Sequence, residues 1–161
     1  MKRPVPLLSD LPIAFAIRSN PPTTTHQSTA RILRKRDGTR FIGRPQNSKG
    51  ASLKRTLISI FRKYAPPDPF NDPVQVEVVF EWQWNKADPQ YVRNFGIIAA
   101  AGRADSDNLA KLFKDAFAEA GFVTNDNRIS DLIVRKRRGD RPGLYVRVTE
   151  PELFPYHHEW I

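Results

Sequence analysis

No cysteine occurs anywhere in this sequence of 161 residues. Disulfide staples and thiolate zinc sites are therefore excluded, and stability has to come from packing. Histidine is nearly as scarce: His26, His157 and His158 form no H-E-x-x-H pattern, which excludes a zincin, and adjacent histidines near a terminus are ordinarily surface residues. No window approaches the roughly 18 consecutive apolar residues of a membrane span, and the opening MKRPVPLLSD interrupts its apolar stretch with prolines and Asp10. The sequence reads as a soluble, cytoplasmic protein. Its length suits one compact domain with a packed core and is short for two.

Negative charge is also in short supply, with 17 acidic residues against 26 Lys and Arg, a net +9. Such an excess favours a polyanionic partner. Its distribution is more informative than its size. Residues 31–63 hold 11 basic residues and only Asp37 on the acidic side, a local +10 that leaves −1 for the rest of the chain. A surface built only for solubility mixes the signs, whereas here the excess is confined to Arg31, Arg34, Lys35, Arg36, Arg40, Arg44, Lys49, Lys54, Arg55, Arg62 and Lys63. A plain solvated basic face remains the alternative.

The periodicities present are those of a mixed sheet with helices packed on it. Residues 12–18 (PIAFAIR) alternate as a first strand, and Asn20-Pro21-Pro22 breaks regular structure after it. Residues 31–47 form a basic hairpin or flexible arm, with Asp37-Gly38 suited to a type I′ turn. Residues 48–64 have helical spacing and are stopped by Pro66-Pro67. Residues 74–84 (VQVEVVFEWQW) alternate strictly as a half-buried strand, on which Trp82 and Trp84 read as core aromatics. Residues 85–104 give mixed signals, a loop, short helix or insertion. Residues 107–120 form an amphipathic helix with Ser106 as N-cap and Gly121 beyond its end. Residues 129–137 and 144–149 are two strands joined by a hairpin loop. The order β, basic arm, α, β, α, β, β predicts a single α/β (α+β) domain.

Asp105 and Asp107 flank Ser106 where the chain enters that helix, and Asp126 follows after the helix, just before a strand. If helix and strand pack side by side, the three carboxylates meet. Hard divalent ions such as Mg²⁺ prefer such oxygen donors. By spacing alone the plainer reading leads: two acids favouring a helix N-terminus and an Asp in the turn Thr124-Asn125-Asp126-Asn127. An EF-hand is excluded, because a loop starting at Asp105 would put Leu109 at its fifth position and Ala110 where glycine is required.

The stretch ADSDNLAKLFKDAFAEAGFVTND, residues 104–126, resembles the active-site signature of the RusA family of Holliday-junction resolvases. It has D-x-D-N-L-x-K, a helix with a D-A-hydrophobic pattern, and a hydrophobic turn with an acid before a strand. Weaker likeness extends to the first strand with Asn20-Pro21-Pro22-Thr23, the middle helix, and Val134-Arg135-Lys136-Arg137. The resemblance implies that Asp105, Asp107 and Asp126 hold the metal, Mg²⁺ with Mn²⁺ as a substitute. Lys111, four residues after Asp107 and on its helical face, would act on the scissile phosphate; its simpler role is an i,i+4 pair with Asp107. Two departures stand out. The family often has a basic residue before the first aspartate, where this chain has Ala104 with Arg103 one position earlier, and Asn125 stands where a second acid is common.

The resemblance further implies a homodimeric endodeoxyribonuclease, bacterial or phage-encoded, that nicks four-way junctions symmetrically in recombination and repair and works at the nucleoid. Phosphate contacts are expected from Arg31, Arg34, Lys35, Arg36, Arg40, Arg44, Lys54, Arg55, Arg103 and Lys136. Two alternatives differ in kind: a non-catalytic DNA-binding module, indifferent to Mg²⁺, and a metal-dependent nuclease for flaps or other branched DNA. The aromatic tail, residues 154–161, carries no assigned role beyond a possible place at a dimer interface.

Overall fold

The structure, a computed structural model, describes residues 11–23, 31–43, 48–101 and 104–151. Arg44, Arg103 and the aromatic tail lie outside the described residues. The elements are β1 (Ile13–Ile17), β2 (Arg31–Arg34), β3 (Arg40–Gly43), α1 (Ser48–Phe61), β4 (Val74–Gln83), α2 (Gln90–Arg93), β5 (Ile97–Ala99), α3 (Ser106–Glu119), β6 (Ile129–Gly139) and β7 (Gly143–Thr149), with a 3₁₀ turn at Asp126–Arg128.

The alternation in β4 has the expected consequence. Val74, Val76, Val78, Phe80 and Trp82 are buried on one face, and the strand takes the centre of a five-stranded sheet ordered β1-β7-β4-β6-β5. β4 and β6 are parallel; the other pairings are antiparallel. In register with the β4 face are Val146 and Val148 of β7, Ile13, Phe15 and Ile17 of β1, and Leu132 and Val134 of β6. Against it pack Leu57, Ile58 and Phe61 of α1 and Leu109, Leu112, Phe113, Ala116 and Phe117 of α3. Aromatic rings run through this layer, with centroids 5.5 Å apart for Phe61–Phe113, 5.1 Å for Phe113–Phe117 and 4.0 Å for Phe117–Phe122.

The end of α3 shows how sequence sets direction. Gly121 takes φ +93°, which a glycine adopts without strain. Its N–H bonds the Ala118 carbonyl while the Phe122 N–H reaches back to Phe117, the double closure of a Schellman motif with its hydrophobic ring contact. The chain then bridges Phe70 at Val123 and turns through Asp126–Arg128 into β6.

Four expectations are corrected. Helix α3 begins one residue earlier than expected: Ser106 is already helical and Asp105 is the N-cap, with no side-chain capping bond. The β2–β3 hairpin forms, but not on a type I′ turn. Among the described residues no non-glycine has positive φ and Gly38 alone does so at this tip, at +87°. The loop Arg36-Asp37-Gly38 closes through Lys35 N–H to Thr39 O and Gly38 N–H to Lys35 O, a three-residue connection with glycine in the left-handed place. Asp37 accepts the Thr39 N–H at 2.9 Å, which holds its carboxyl below the usual carboxylate range. The strand of residues 74–84 stops at Gln83; Trp84 lies past it and donates its indole N–H to Asp140, while Trp82 is buried as expected. Finally, residues 85–104 contain both a one-turn helix, α2, and an edge strand, β5, paired with β6.

Candidate active site

The pairings bring the last residues of β1, β4 and β6 and the first residues of β5 and β7 to one end of the sheet. Ligands of open α/β sheets gather beyond the carboxyl ends of the strands, and the start of α3 belongs to that end. Lys136, near the end of β6, donates its ammonium to the Ala104 carbonyl at 2.9 Å, and the Ala100 N–H bonds the Lys136 carbonyl. Both contacts fix the approach of the chain to Asp105. Ala104 is 7% exposed and part of the core, so a long basic side chain at that position would have no room. The ammonium of Lys136, arriving from β6, places positive charge next to Asp105 instead.

Asp105 and Asp107 are both exposed. Asp105 caps nothing with its side chain, and among the described residues neither carboxylate has a hydrogen-bond or ion-pair partner. Lys111 is exposed one turn further along the same helical face. The result is two uncommitted carboxylates at a helix N-terminus, with one lysine beside them on α3 and another on β6.

Within one chain, Asp126 does not join them. It follows α3, at the start of β6, and its carboxylate lies 3.9 Å from Lys114 Nζ, in a groove shared with Asp115 and Glu119 near the C-terminal end of α3. Lys114 is seven residues past Asp107 and nine past Asp105, so at about 1.5 Å per residue its place on α3 is roughly 10 Å or more from the pair. In keeping with this, no group of three or more His, Cys, Asp or Glu among the described residues is placed to hold a metal ion. A Mg²⁺-like ion is often held by only one or two carboxylates, so the Asp105–Asp107 pair fits such an ion, and a three-aspartate site contained in a single chain does not fit.

The basic residues divide. Arg34, Lys35, Arg36 and Arg40 are exposed around the hairpin tip and Arg55 is exposed on α1. Lys54 is engaged with Glu119 in an ion pair that ties α1 to α3. The side chain of Arg31 is not among those described. Two features escape a reading of the sequence. Arg138 pairs with Asp88 at 2.9 Å, both largely buried, and Tyr91 and Phe95 are strongly exposed. The dipeptide Asp88-Pro89 followed by Gly96 is a start-and-stop signal for a short helix that could have located this segment.

Among the described residues no helix is long and apolar enough to cross a membrane. A comparison with curated proteins found no match. The family model of endodeoxyribonuclease RusA matches residues 19–149, a span that contains the Asp105–Asp107 pair, Lys111, Lys136 and Asp126, and the chain belongs to the RusA endodeoxyribonuclease family.

Proposed function

We propose that this endonuclease cuts branched DNA, four-way junctions above all, as a Mg²⁺-dependent homodimer serving recombination and repair in the cytoplasm of a bacterium, whether encoded by the host or by a phage. The observation that carries the reading is the pair Asp105 and Asp107, exposed and uncommitted at the start of α3 with Lys111 one turn away. A carboxylate that served only as a helix cap would accept a main-chain N–H, and the Asp105 side chain accepts none. When bound there, Mg²⁺, or Mn²⁺ in its place, would supply an activated water and charge stabilisation at the cleaved phosphodiester. The chain's own part is positional. Asp105 and Asp107 would hold the ion, Lys111 contacts the scissile phosphate and its developing charge, and Lys136 fixes the backbone before Asp105. Arg34, Lys35, Arg36 and Arg40 on the hairpin would grip the phosphates of the duplex arms by shape rather than sequence.

Asp126 enters this reading only through the dimer. The arrangement that reconciles it with the pair is two-fold: each chain gives Asp105 and Asp107 to one site and Asp126 to the other, so that the site is incomplete without a second copy.

Incubating the purified protein with end-labelled four-way junction, fork and duplex, with and without Mg²⁺, tests the reading directly. Paired nicks confined to the junction and to Mg²⁺ are expected. Cleavage of every substrate alike, or binding without cleavage at any Mg²⁺ concentration, would overturn it.

A further inference from the structure

Residues 85–97 are built with more care than a surface connection requires. The Arg93 guanidinium donates to the main-chain carbonyls of Asp88 at 3.0 Å and Asn85 at 2.9 Å. Asp88 accepts the Asn85 N–H at 2.7 Å and with its other oxygen binds Arg138 of β6, an ion pair largely withdrawn from water. The Gln90 side chain bonds that of Asn94, and Gly96 at φ +75° returns the chain into β5, which pairs with β6 from Ile97 to Ala99. This scaffold leaves the two largest side chains it carries in water. Tyr91 is 70% and Phe95 73% exposed, one helical turn apart. Exposure of that degree means neither ring contributes much to the core, so a rigid mount holds two aromatic faces outward.

The mount stands at the functional end of the sheet. Ile97 is opposite Gly139 and Ala99 opposite Arg137, so the rings lie a few residues along β5 and β6 from Lys136 and the start of α3. Lys86 is exposed in the same segment and Arg137, opposite Ala99, donates to the Lys136 carbonyl, whereas Asp88 is already paired with Arg138 and Asp140 accepts from Trp84. Outward aromatic faces on a segment that also carries an exposed lysine match the chemistry of unstacked nucleobases on a phosphate backbone. A second copy of the chain is a poorer occupant. The two rings with Ile97, 48% exposed beside them, offer roughly 400 Å² of apolar surface, about half of the ~800 Å² per partner of a stable interface.

We infer that Tyr91 and Phe95 form a stacking platform for bases unpaired at the branch point of the DNA, distinct from the carboxylates that cut and from the hairpin that grips the arms. The inference rests on the branched-DNA reading above. A duplex offers no unstacked base, so the platform acts in choosing junction over duplex.

The test compares wild type, the double variant Tyr91→Ala/Phe95→Ala and the conservative variant Tyr91→Phe/Phe95→Tyr, measuring affinity in Ca²⁺ for a four-way junction and for a duplex of equal length. Thermal denaturation and light scattering accompany each protein. The double alanine variant should lose about 10- to 100-fold in junction affinity with duplex affinity unchanged, and the conservative variant should behave as wild type. Equal loss on both DNAs, or no loss, overturns the platform, as does a shift of the alanine variant to monomer, which would make the rings an interface between copies. A wild-type protein with no preference for the junction would instead sink the functional reading, and the platform with it.

Discussion

Asp107 stands in the first turn of α3, exposed, where a carboxylate gains at most about 1 kcal/mol from the helix dipole. Replacing it by Asn should therefore leave folding and junction binding close to wild type, while on the proposed reading it removes a metal ligand and with it the chemistry. Asp107→Asn is expected to abolish cleavage with little change in Tm, and normal cutting in saturating Mg²⁺ would overturn the assignment. Gly139 gives a prediction about stability alone. A Cβ there would lie 2.3 Å from Glu81 Oε1 and 2.9 Å from the Gly96 carbonyl oxygen. Glu81 is only 6% exposed and accepts the Arg141 N–H, so it has little freedom to yield, and the Gly96 carbonyl is main chain. Gly139→Ala should destabilise the fold by about 1–3 kcal/mol, visible as a lowered denaturation midpoint. An unchanged midpoint would show that the β5–β6 junction is looser than its packing indicates.

The β2–β3 hairpin is the element whose role is easiest to isolate, because it forms a two-stranded sheet of its own and its tip is exposed. Neutralising Arg34, Lys35 and Arg36 together should weaken DNA binding and flatten its salt dependence, the slope of log affinity on log salt falling by about 0.9 for each duplex phosphate that the hairpin no longer neutralises. A slope equal to wild type would mean that the hairpin faces away from DNA. What can be read of these elements from sequence follows from pattern length. The ten residues of β4 and the fourteen of α3 repeat their periods several times, and Gly121 marks the reversal. The four residues of α2 and three of β5 complete no period, and what holds them, Arg93 on main-chain carbonyls and Arg138 on Asp88, leaves no trace in hydropathy. The turn type at Asp37-Gly38 is not legible either, because the dipeptide signals glycine in the left-handed region without saying how many residues the loop contains. The likeness of residues 104–126 to the RusA signature is legible, and the family match agrees with it. Its spatial meaning is not: β4 and β6 are parallel, so α3 runs back against β6, and the acid that follows the helix lies beside Lys114, about two turns from the pair that opens it.

At the scale of the whole molecule, that separation is what the proposed dimer would resolve. Asp105 and Asp107 lie at one end of α3, while Asp126 faces Lys114, about two turns along it. If a cutting site draws the pair from one chain and Asp126 from the next, mutations should complement across chains. Homodimers of Asp107→Asn and of Asp126→Asn are each expected to be inactive. After the two are mixed and allowed to exchange, about half of the dimers are mixed. In each of these, one site carries both lesions and the other carries neither. The mixed sample should therefore recover cleavage in the form of single nicks, without paired cuts, because only one strand meets a complete site. If each site were contained in one chain, every site in a mixed dimer would carry one lesion and no activity would return. Labelling the two junction strands separately distinguishes a nick from a paired cut, and light scattering under the same conditions establishes that dimers are present. Normal cutting by Asp126→Asn alone would remove that residue from the site, and a monomer that makes paired cuts in one binding event would remove the two-fold arrangement altogether.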